Sequence, residues 1–177
     1  MENSVLMRYN ESSLFKDWIE MHLTKILFVC HGNICRSPMA EHVFRELARQ
    51  AGAASRFAVS SAAVSAEEIW GGHGNPMDLR AQRVLRQHCI PYEPGEARQI
   101  TAEDLAENDL VVLMDRGNLR GLRHLLGSLV DEAPKGRIRL LFADAKVSDP
   151  WYTGDFEKAY DDIERGCRAL LAECLSR

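Results

Sequence analysis

The chain has 177 residues, enough for one domain with a substantial apolar core. Its net charge of −4 and its scattered basic residues argue against a nucleic-acid-binding surface, and no apolar stretch has the length of a membrane span. The N-terminus is too polar and too acidic for a signal peptide, and five cysteines without a disulfide-like spacing are typical of a reducing compartment. We therefore expect a cytoplasmic globular protein with free thiols, no nucleic-acid partner and no membrane association.

Residues 1–23 are predicted to form a helical N-terminal extension ahead of a domain at 24–177. Apolar residues recur at helical spacing from Leu14 to Leu23, after two serines that can cap a helix. Two roles stay open for this segment: an amphipathic helix docked on the domain, or an arm that binds a partner or a second copy. Met21 is also a candidate internal start, because the domain pattern begins right after it.

The rest of the chain alternates between short apolar strands and amphipathic helices. Strands are predicted at 25–30, 56–63, 109–114 and 137–142. Helices are predicted over 38–51, 77–89, 101–107, 117–127 and about 156–175, with loops at 70–76 and 148–155. This alternation predicts a three-layer α/β fold with a parallel sheet, in which ligands bind at the carboxyl ends of the strands.

The first strand runs into the stretch VCHGNICRSP, Val29–Pro38, which is predicted to form a strand-to-helix loop at that edge. Backbone N–H groups of such a loop can converge on an anion, and the N-terminus of the following helix adds partial positive charge. Gly32 and Asn33 are residue types that tolerate the left-handed backbone that a tight loop needs. The planar guanidinium of Arg36 can bind two oxygens of a tetrahedral oxyanion.

Cys30 stands at the start of this loop as a candidate nucleophile. The positive field of the loop favours a thiolate, and a thiolate facing a bound phosphate can attack phosphorus. Ser37 can donate a hydrogen bond to the sulfur. Two other interpretations stay open on this stretch alone: a buried core cysteine, and a loop that binds a nucleotide phosphate without chemistry.

A second stretch, SDPWYTGD, supplies a candidate general acid. Cleavage of a phosphate ester needs an acid for the leaving oxygen, and Asp149 lies in a loop whose backbone Pro150 restricts. Trp151 and Tyr152 can flank an aryl substrate. Asp-Pro is also a common pair in surface turns, so a plain turn stays open as well.

These stretches together resemble the low-molecular-weight protein tyrosine phosphatases over about residues 24–175. The resemblance is also carried by SSAA (60–63), ARQI (97–100) and LMDRGNLR (113–120). It implies a four-stranded parallel sheet flanked by helices, with a Cys-x5-Arg phosphate-binding loop after the first strand. It also implies hydrolysis of phosphotyrosine in protein substrates through a phosphocysteine intermediate, without a metal or cofactor.

The resemblance assigns roles to individual residues. Cys30 is the nucleophile, Arg36 the phosphate clamp and Asp149 the general acid. The phosphate-binding loop then comprises His31, Gly32, Asn33, Ile34, Cys35 and Ser37, with Asn33 holding its shape and Ser37 supporting the thiolate. Trp151, Tyr152 and Trp70 are expected to wall the substrate cleft. Family members with cysteines at both loop positions can join them in a disulfide.

Three features depart from the family pattern. Gly95 stands two residues before ARQI, where many members carry a histidine that is thought to brace the loop. The loop WGGHGNP (70–76) is longer than usual. An extension at 1–23 also falls outside the family.

Three rivals are weighed against the tyrosine phosphatase. A thioredoxin-coupled arsenate reductase of the same fold needs a relay of further cysteines, and here Cys89 has no partner a few residues away. A protein-arginine phosphatase of the same fold carries Thr where Ile34 stands. A phosphate-binding module without catalytic activity is the third rival, but the nucleophile, the phosphate clamp and the general acid are all present in this sequence. A metal site is not predicted, because Cys30, His31 and Cys35 have no second ligand pair at zinc-like spacing, and the oligomeric state is left open.

Overall fold

Residues 23–176, which are described in a computed structural model, form a parallel sheet with helices on both faces. The strands are β1 (Thr24–Cys30), β2 (Phe57–Ala63), β3 (Ile69–Trp70), β4 (His73–Gly74), β5 (Leu110–Leu113) and β6 (Ile138–Leu140). The helices are α1 (Arg36–Gln50), α2 (Leu79–Gln87), α3 (Ala102–Glu107), α4 (Arg116–Leu126), α5 (Ser128–Glu132), α6 (Pro150–Thr153) and α7 (Phe156–Leu175). The three-layer α/β fold and its four-stranded parallel sheet are confirmed.

The main sheet has the strand order β2-β1-β5-β6, and every neighbouring pair is parallel. Side chains of β1 alternate between two apolar clusters, as the pleat of a strand requires. Ile26 and Phe28 pack with α1 and α7 on one face, whereas Leu27 and Val29 pack on the face that holds Leu122 of α4. The next residue in the alternation, Cys30, therefore belongs to the α1 side of the sheet.

The carboxyl ends of the central strands meet at one edge of the sheet. Cys30 pairs in register with Ala63, and Val29 with Leu113. The segments that follow these strands therefore lie side by side, which is the position where open α/β sheets bind ligands.

Helix α1 begins earlier than the sequence predicts. Its first residue is Arg36 and its N-cap is Cys35, which makes no capping side-chain hydrogen bond. Pro38 is therefore the third helical residue rather than the first, and it is tolerated because N–H groups of the first turn have no partner within the helix. Ser37 lies inside the helix, so its hydroxyl is available to the loop.

Segments predicted as loops contain regular structure. Asp149 caps the short helix α6 by accepting a hydrogen bond from the N–H of Trp151, with Pro150 at the first helical position. The short helix α5 was not predicted either. The segment 70–76 contains the antiparallel hairpin β3–β4, and Gly71 and Gly72 turn its tip with φ of 60° and 85°.

The β3–β4 hairpin is attached to the domain by its backbone. Asn75 N–H donates to Glu68 O at 2.7 Å, and Ala97 N–H donates to Asn75 O at 2.8 Å. A Cβ at Gly74 would lie 1.8 Å from the carbonyl oxygen of Ala97. Only glycine therefore permits this approach of two chain segments.

The predicted N-terminal helix and the candidate start at Met21 lie outside the described residues, so the extension at 1–23 stays a prediction. Within the described part of the chain, no helix is both long enough and apolar enough to span a bilayer.

Candidate active site

The loop between β1 and α1 is held by one buried asparagine. Asn33 adopts a left-handed backbone with φ of 59°, which asparagine tolerates better than most residues. Its Nδ2 donates to Ser37 Oγ at 3.0 Å and to Ser61 Oγ at 2.9 Å, and its Oδ1 accepts from the N–H of Arg98 at 3.1 Å. The side chain thus ties the loop to α1, to β2 and to the segment before α3.

Cys30 lies at the floor of the cleft, with its residue only 3% exposed. Its Sγ lies 3.0 Å from Ser37 Oγ, and the N–H of Asn33 donates to Sγ at 3.3 Å. Either atom of the Sγ–Oγ pair can be the donor when the sulfur is a thiol, but a thiolate can only accept. Ser37 Oγ also lies 3.3 Å from Ala62 O, so the hydroxyl can turn between carbonyl and sulfur.

Arg36 lies in the same cleft between two carboxylates. Its Nη1 is 2.6 Å from Asp115 Oδ2 and its Nη2 is 2.5 Å from Asp149 Oδ2. Burial acts to lower the pKa of Arg36, but Cys30, Asp115 and Asp149 outweigh it and raise the pKa above its ordinary value. The guanidinium is therefore held charged and in a fixed orientation at the loop.

Asp115 is a residue of this site to which the sequence analysis assigned no role. Burial acts to raise the pKa of its carboxyl, but hydrogen bonds from Arg36 and from the N–H of Asn118 outweigh that effect and lower it. The residue caps α4 directly after β5, so its position follows from the strand order. The stretch LMDRGNLR contains Asp115, but the sequence alone does not reveal that this residue contacts Arg36.

Asp149 reaches the loop, which its separation in sequence could not show. Its side chain is 26% exposed, and its Oδ1 accepts from the N–H of Trp151 at 3.1 Å while Oδ2 pairs with Arg36. Cys30, Arg36 and Asp149 therefore line one cleft. In this arrangement Asp149 accepts from Arg36 Nη2, which is a donor that an oxyanion bound in the cleft also needs.

Two aromatic side chains stand at the mouth of the cleft. Trp151 is 59% exposed and Tyr152 is 85% exposed, and both line the cleft together with Ile34. Trp70 has a different position: it lies on the β3–β4 hairpin, 73% exposed, and is not among the residues that line the cleft.

Two glutamates line the cleft that sequence reasoning missed. Glu67 Oε2 accepts a hydrogen bond from His31 Nε2 at 2.9 Å. Glu68 lies over Gly32, where a Cβ would come within 2.9 Å of its Cγ. Both residues precede the hairpin, and no pattern in the sequence marks them as part of the site.

Cys35 lines the same cleft as Cys30 but is almost fully buried. It is 6% exposed, and burial, Asp78 and Cys30 all raise its pKa. Cys35 is therefore held as a neutral thiol beside Cys30. Of the remaining cysteines, Cys89 is exposed after α2, and Cys167 and Cys174 are buried on α7.

The structure shows how the loop is braced without a side chain at Gly95. This glycine borders a small polar cavity next to Asn33, Glu41 and Ser61. Ser61 Oγ donates to Glu41 Oε2 at 2.6 Å, and the backbone N–H of Arg98 satisfies Asn33 Oδ1. Main chain and Glu41 therefore complete the network on this side of the loop. Among residues 23–176, no group of three or more His, Cys, Asp or Glu side chains is arranged to hold a metal.

Comparisons with known proteins all point to one family. A family model described as low molecular weight phosphotyrosine protein phosphatase matches residues 25–177. The human protein of that name is 41% identical over 159 residues, covering 86% of this chain and 96% of the relative. A low molecular weight protein-tyrosine-phosphatase of Bacillus subtilis, YfkJ, is 37% identical over 158 residues, covering 85% and 95%.

Solved structures show the same similarity. The crystal structure of YfkJ from Bacillus subtilis superposes with a TM-score of 0.77 at 36% identity, covering 87% of this chain and 96% of that one. The crystal structure of an arginine phosphatase from Drosophila has a TM-score of 0.74 at 31% identity, covering 85% and 97%.

Proposed function

Because this chain belongs to the low-molecular-weight phosphotyrosine protein phosphatase family, whose members hydrolyse phosphoric monoesters, we propose that it dephosphorylates phosphotyrosine in proteins through a phosphocysteine at Cys30. The observation that carries the proposal is the convergence of a cysteine sulfur, a buried guanidinium and a carboxylate on one cleft. Each of the three supplies a different requirement of phosphoryl transfer.

Substrate binding replaces one internal ion pair. The phosphate dianion enters the cleft and accepts hydrogen bonds from the loop N–H groups and from Arg36. Arg36 keeps its bond to Asp115 through Nη1, and its Nη2 turns from Asp149 to the phosphate. This exchange releases the carboxyl of Asp149 toward the leaving-group oxygen.

The first chemical step transfers the phosphoryl group to sulfur. The Cys30 thiolate attacks phosphorus, the S–P bond forms, and the P–O bond to the phenol breaks. Asp149, protonated in the complex, gives its proton to the departing phenolate oxygen. Trp151 and Tyr152 flank the aromatic ring at the mouth of the cleft.

The second step returns the sulfur to its starting state. Asp149, now a carboxylate, takes a proton from water as that water attacks phosphorus. The S–P bond breaks and inorganic phosphate leaves. Ser37 donates its hydrogen bond to the departing thiolate, because its hydroxyl lies 3.0 Å from Sγ.

An aryl phosphate fits this cleft better than a phosphoarginine. Ile34 lines the cleft with an apolar side chain that cannot orient a guanidinium. An arsenate reductase relay has no support either, since Cys89 is exposed and the two α7 cysteines are buried away from the cleft.

The catalytic domain is assigned to residues 24–177, which agrees with the span of the family model. We assign residues 1–23 to an extension outside it. The five free cysteines fit a cytoplasmic location.

Phosphate release tests the proposal on three substrates: p-nitrophenyl phosphate, a phosphotyrosine peptide and phosphoarginine. We expect turnover of the first two, little of the third, and near-complete loss in Cys30→Ser and Arg36→Ala. Cys89→Ser is the matched control for loss of a thiol outside the cleft, and it should keep its activity. Full activity in Cys30→Ser, or a preference for phosphoarginine, would contradict the proposal.

A further inference from the structure

A second groove opens beside the catalytic cleft and shares four of its residues: His31, Arg36, Asp149 and Tyr152. Its outer wall is formed by the start of α4 and by the segment 143–147, which follows β6. The two spaces are therefore continuous. Residues that flank a phosphotyrosine held at Cys30 are therefore within reach of this groove.

Three exposed cations line the groove: Arg116, Arg120 and Lys146. None of them forms an ion pair with a carboxylate of the residues that the structure describes, whereas Arg45, Arg98 and Arg139 each form one elsewhere in the fold. Such unpaired cations keep their full attraction for an incoming anion. They are not needed to hold the fold together.

The carboxylates of the groove do not neutralise these cations. Asp115 and Asp149 both lie on Arg36. In the groove as described, Asp144 is the one further carboxylate, and it is exposed. Arg36 and the three exposed cations together outnumber the three carboxylates by one, so the groove carries a net positive charge.

The catalytic cleft itself is lined by two carboxylates, Glu67 and Glu68, that are not among the lining residues of the groove. An anionic group next to the reacting phosphotyrosine is repelled by these carboxylates and attracted to the cationic groove. The two charges together give the bound peptide a preferred direction.

We propose that the groove of Arg116, Arg120 and Lys146 binds an anionic group carried by residues next to the phosphotyrosine, and so selects substrates with acidic flanks. The proposal rests on the proposed function, since it names a preference within that activity. Two flanking groups share the required chemistry: the carboxylate of an acidic side chain and a second phosphoryl group. Exposed charge pairs have modest individual strength, so the groove acts through several of them.

The test uses four phosphotyrosine peptides of equal length, with glutamate, alanine, lysine or phosphoserine beside the phosphotyrosine. We expect kcat/KM for the glutamate peptide to exceed that for the alanine peptide by about tenfold at low salt, mainly through KM. The lysine peptide should be the poorest of the four. The advantage should shrink as ionic strength rises, because the cations are exposed to solvent.

The double variant Arg120→Gln/Lys146→Gln should bring the ratio of kcat/KM for the glutamate peptide to kcat/KM for the alanine peptide close to one. Arg83→Gln/Lys135→Gln removes the same charge from exposed positions outside the groove, and it should keep the ratio. An advantage for both anionic peptides supports the groove. An advantage confined to phosphoserine overturns the assignment of carboxylates and identifies the phosphoryl group as the occupant.

The same peptides distinguish a failure of the groove proposal from a failure of the proposed function. If the alanine peptide is hydrolysed but the glutamate peptide has no advantage, or keeps its advantage in Arg120→Gln/Lys146→Gln, the groove proposal alone is wrong. If no phosphotyrosine peptide is hydrolysed by the unaltered protein, the proposed function is wrong and the groove proposal with it.

Discussion

Replacing Asn33 by alanine should destabilise the protein strongly, although the change removes only one small side chain. The side chain makes three hydrogen bonds, to Ser37, to Ser61 and to the backbone of Arg98. At about 1 kcal/mol for each bond, their loss amounts to about 3 kcal/mol. Alanine tolerates the left-handed backbone at φ of 59° less well than asparagine, which adds about 1 kcal/mol.

The expected total for Asn33→Ala is therefore about 4 kcal/mol in the free energy of unfolding, from summing these two contributions. In a chain of this size that corresponds to a melting temperature lower by roughly 10 °C. Activity should fall as well, because the N–H of residue 33 donates to Cys30 Sγ and a shift of the loop backbone weakens that hydrogen bond. Urea denaturation and thermal unfolding measure the first effect, and hydrolysis of p-nitrophenyl phosphate measures the second.

Asn33→Gly is the matched control for the backbone. It loses the same three hydrogen bonds but adopts a positive φ without strain, so it should be more stable than Asn33→Ala by about 1 kcal/mol. Asn108→Ala removes a single asparagine hydrogen bond far from the loop, and it should destabilise the fold by about 1 kcal/mol. If Asn33→Ala unfolds within 1 kcal/mol of the unaltered protein, the loop is held by other contacts and the reasoning fails.

Three further predictions concern single residues of the site. Asp149→Ala should slow turnover by roughly two to four orders of magnitude, with a smaller loss for leaving groups that need no proton; an equal loss for good and poor leaving groups would argue against its role as the acid. Cys35→Ser should keep most activity but recover poorly after peroxide, since a sulfenic acid on Cys30 can condense with the Cys35 thiol and lose water; full recovery with reductant would leave Cys35 as a packing residue. The lowered pKa of Asp115 stabilises the fold above the ordinary carboxyl range, and this contribution is lost as pH falls below about 4. Asp115→Asn should therefore show a shallower loss of unfolding free energy with acid in urea titrations, and an unchanged slope would contradict the pairing with Arg36.

The sequence predicted the sheet, the layers and the position of the loop because these follow from short local patterns. A buried strand followed by glycine, asparagine and a helix start is visible within ten residues, and Cys30 and Arg36 both lie in that stretch. Their shared cleft was predictable from the rule that ligands bind at the carboxyl ends of parallel strands. The start of α1 was misplaced, because Ser37 and Pro38 are also favourable residues for the beginning of a helix.

The parts that sequence reasoning missed depend on contacts between distant segments. Asp115 lies 79 residues from Arg36, and only the neighbouring positions of β1 and β5 bring the two together. Glu67 and Glu68 enter the cleft because a hairpin folds back over the loop, and the glycines of its tip were interpreted as a plain loop. Trp70 was expected at the cleft from the family resemblance alone, and this stays a prediction, since the structure shows it exposed on the hairpin and outside the residues that line the cleft.

The attachment of the hairpin through Gly74 has a consequence for how such a phosphatase can diversify. Backbone hydrogen bonds and the approach of Gly74 to Ala97 hold the segment. A substitution of Glu67 or Glu68 therefore removes a side-chain contact, with His31 or with Asn75, but leaves this backbone support in place. Single substitutions there can alter which phosphoproteins a lineage prefers while Cys30 and its loop stay intact. Selection is then expected to keep Gly74 fixed and to let its neighbours drift, so that new substrate preferences arise without loss of the enzyme.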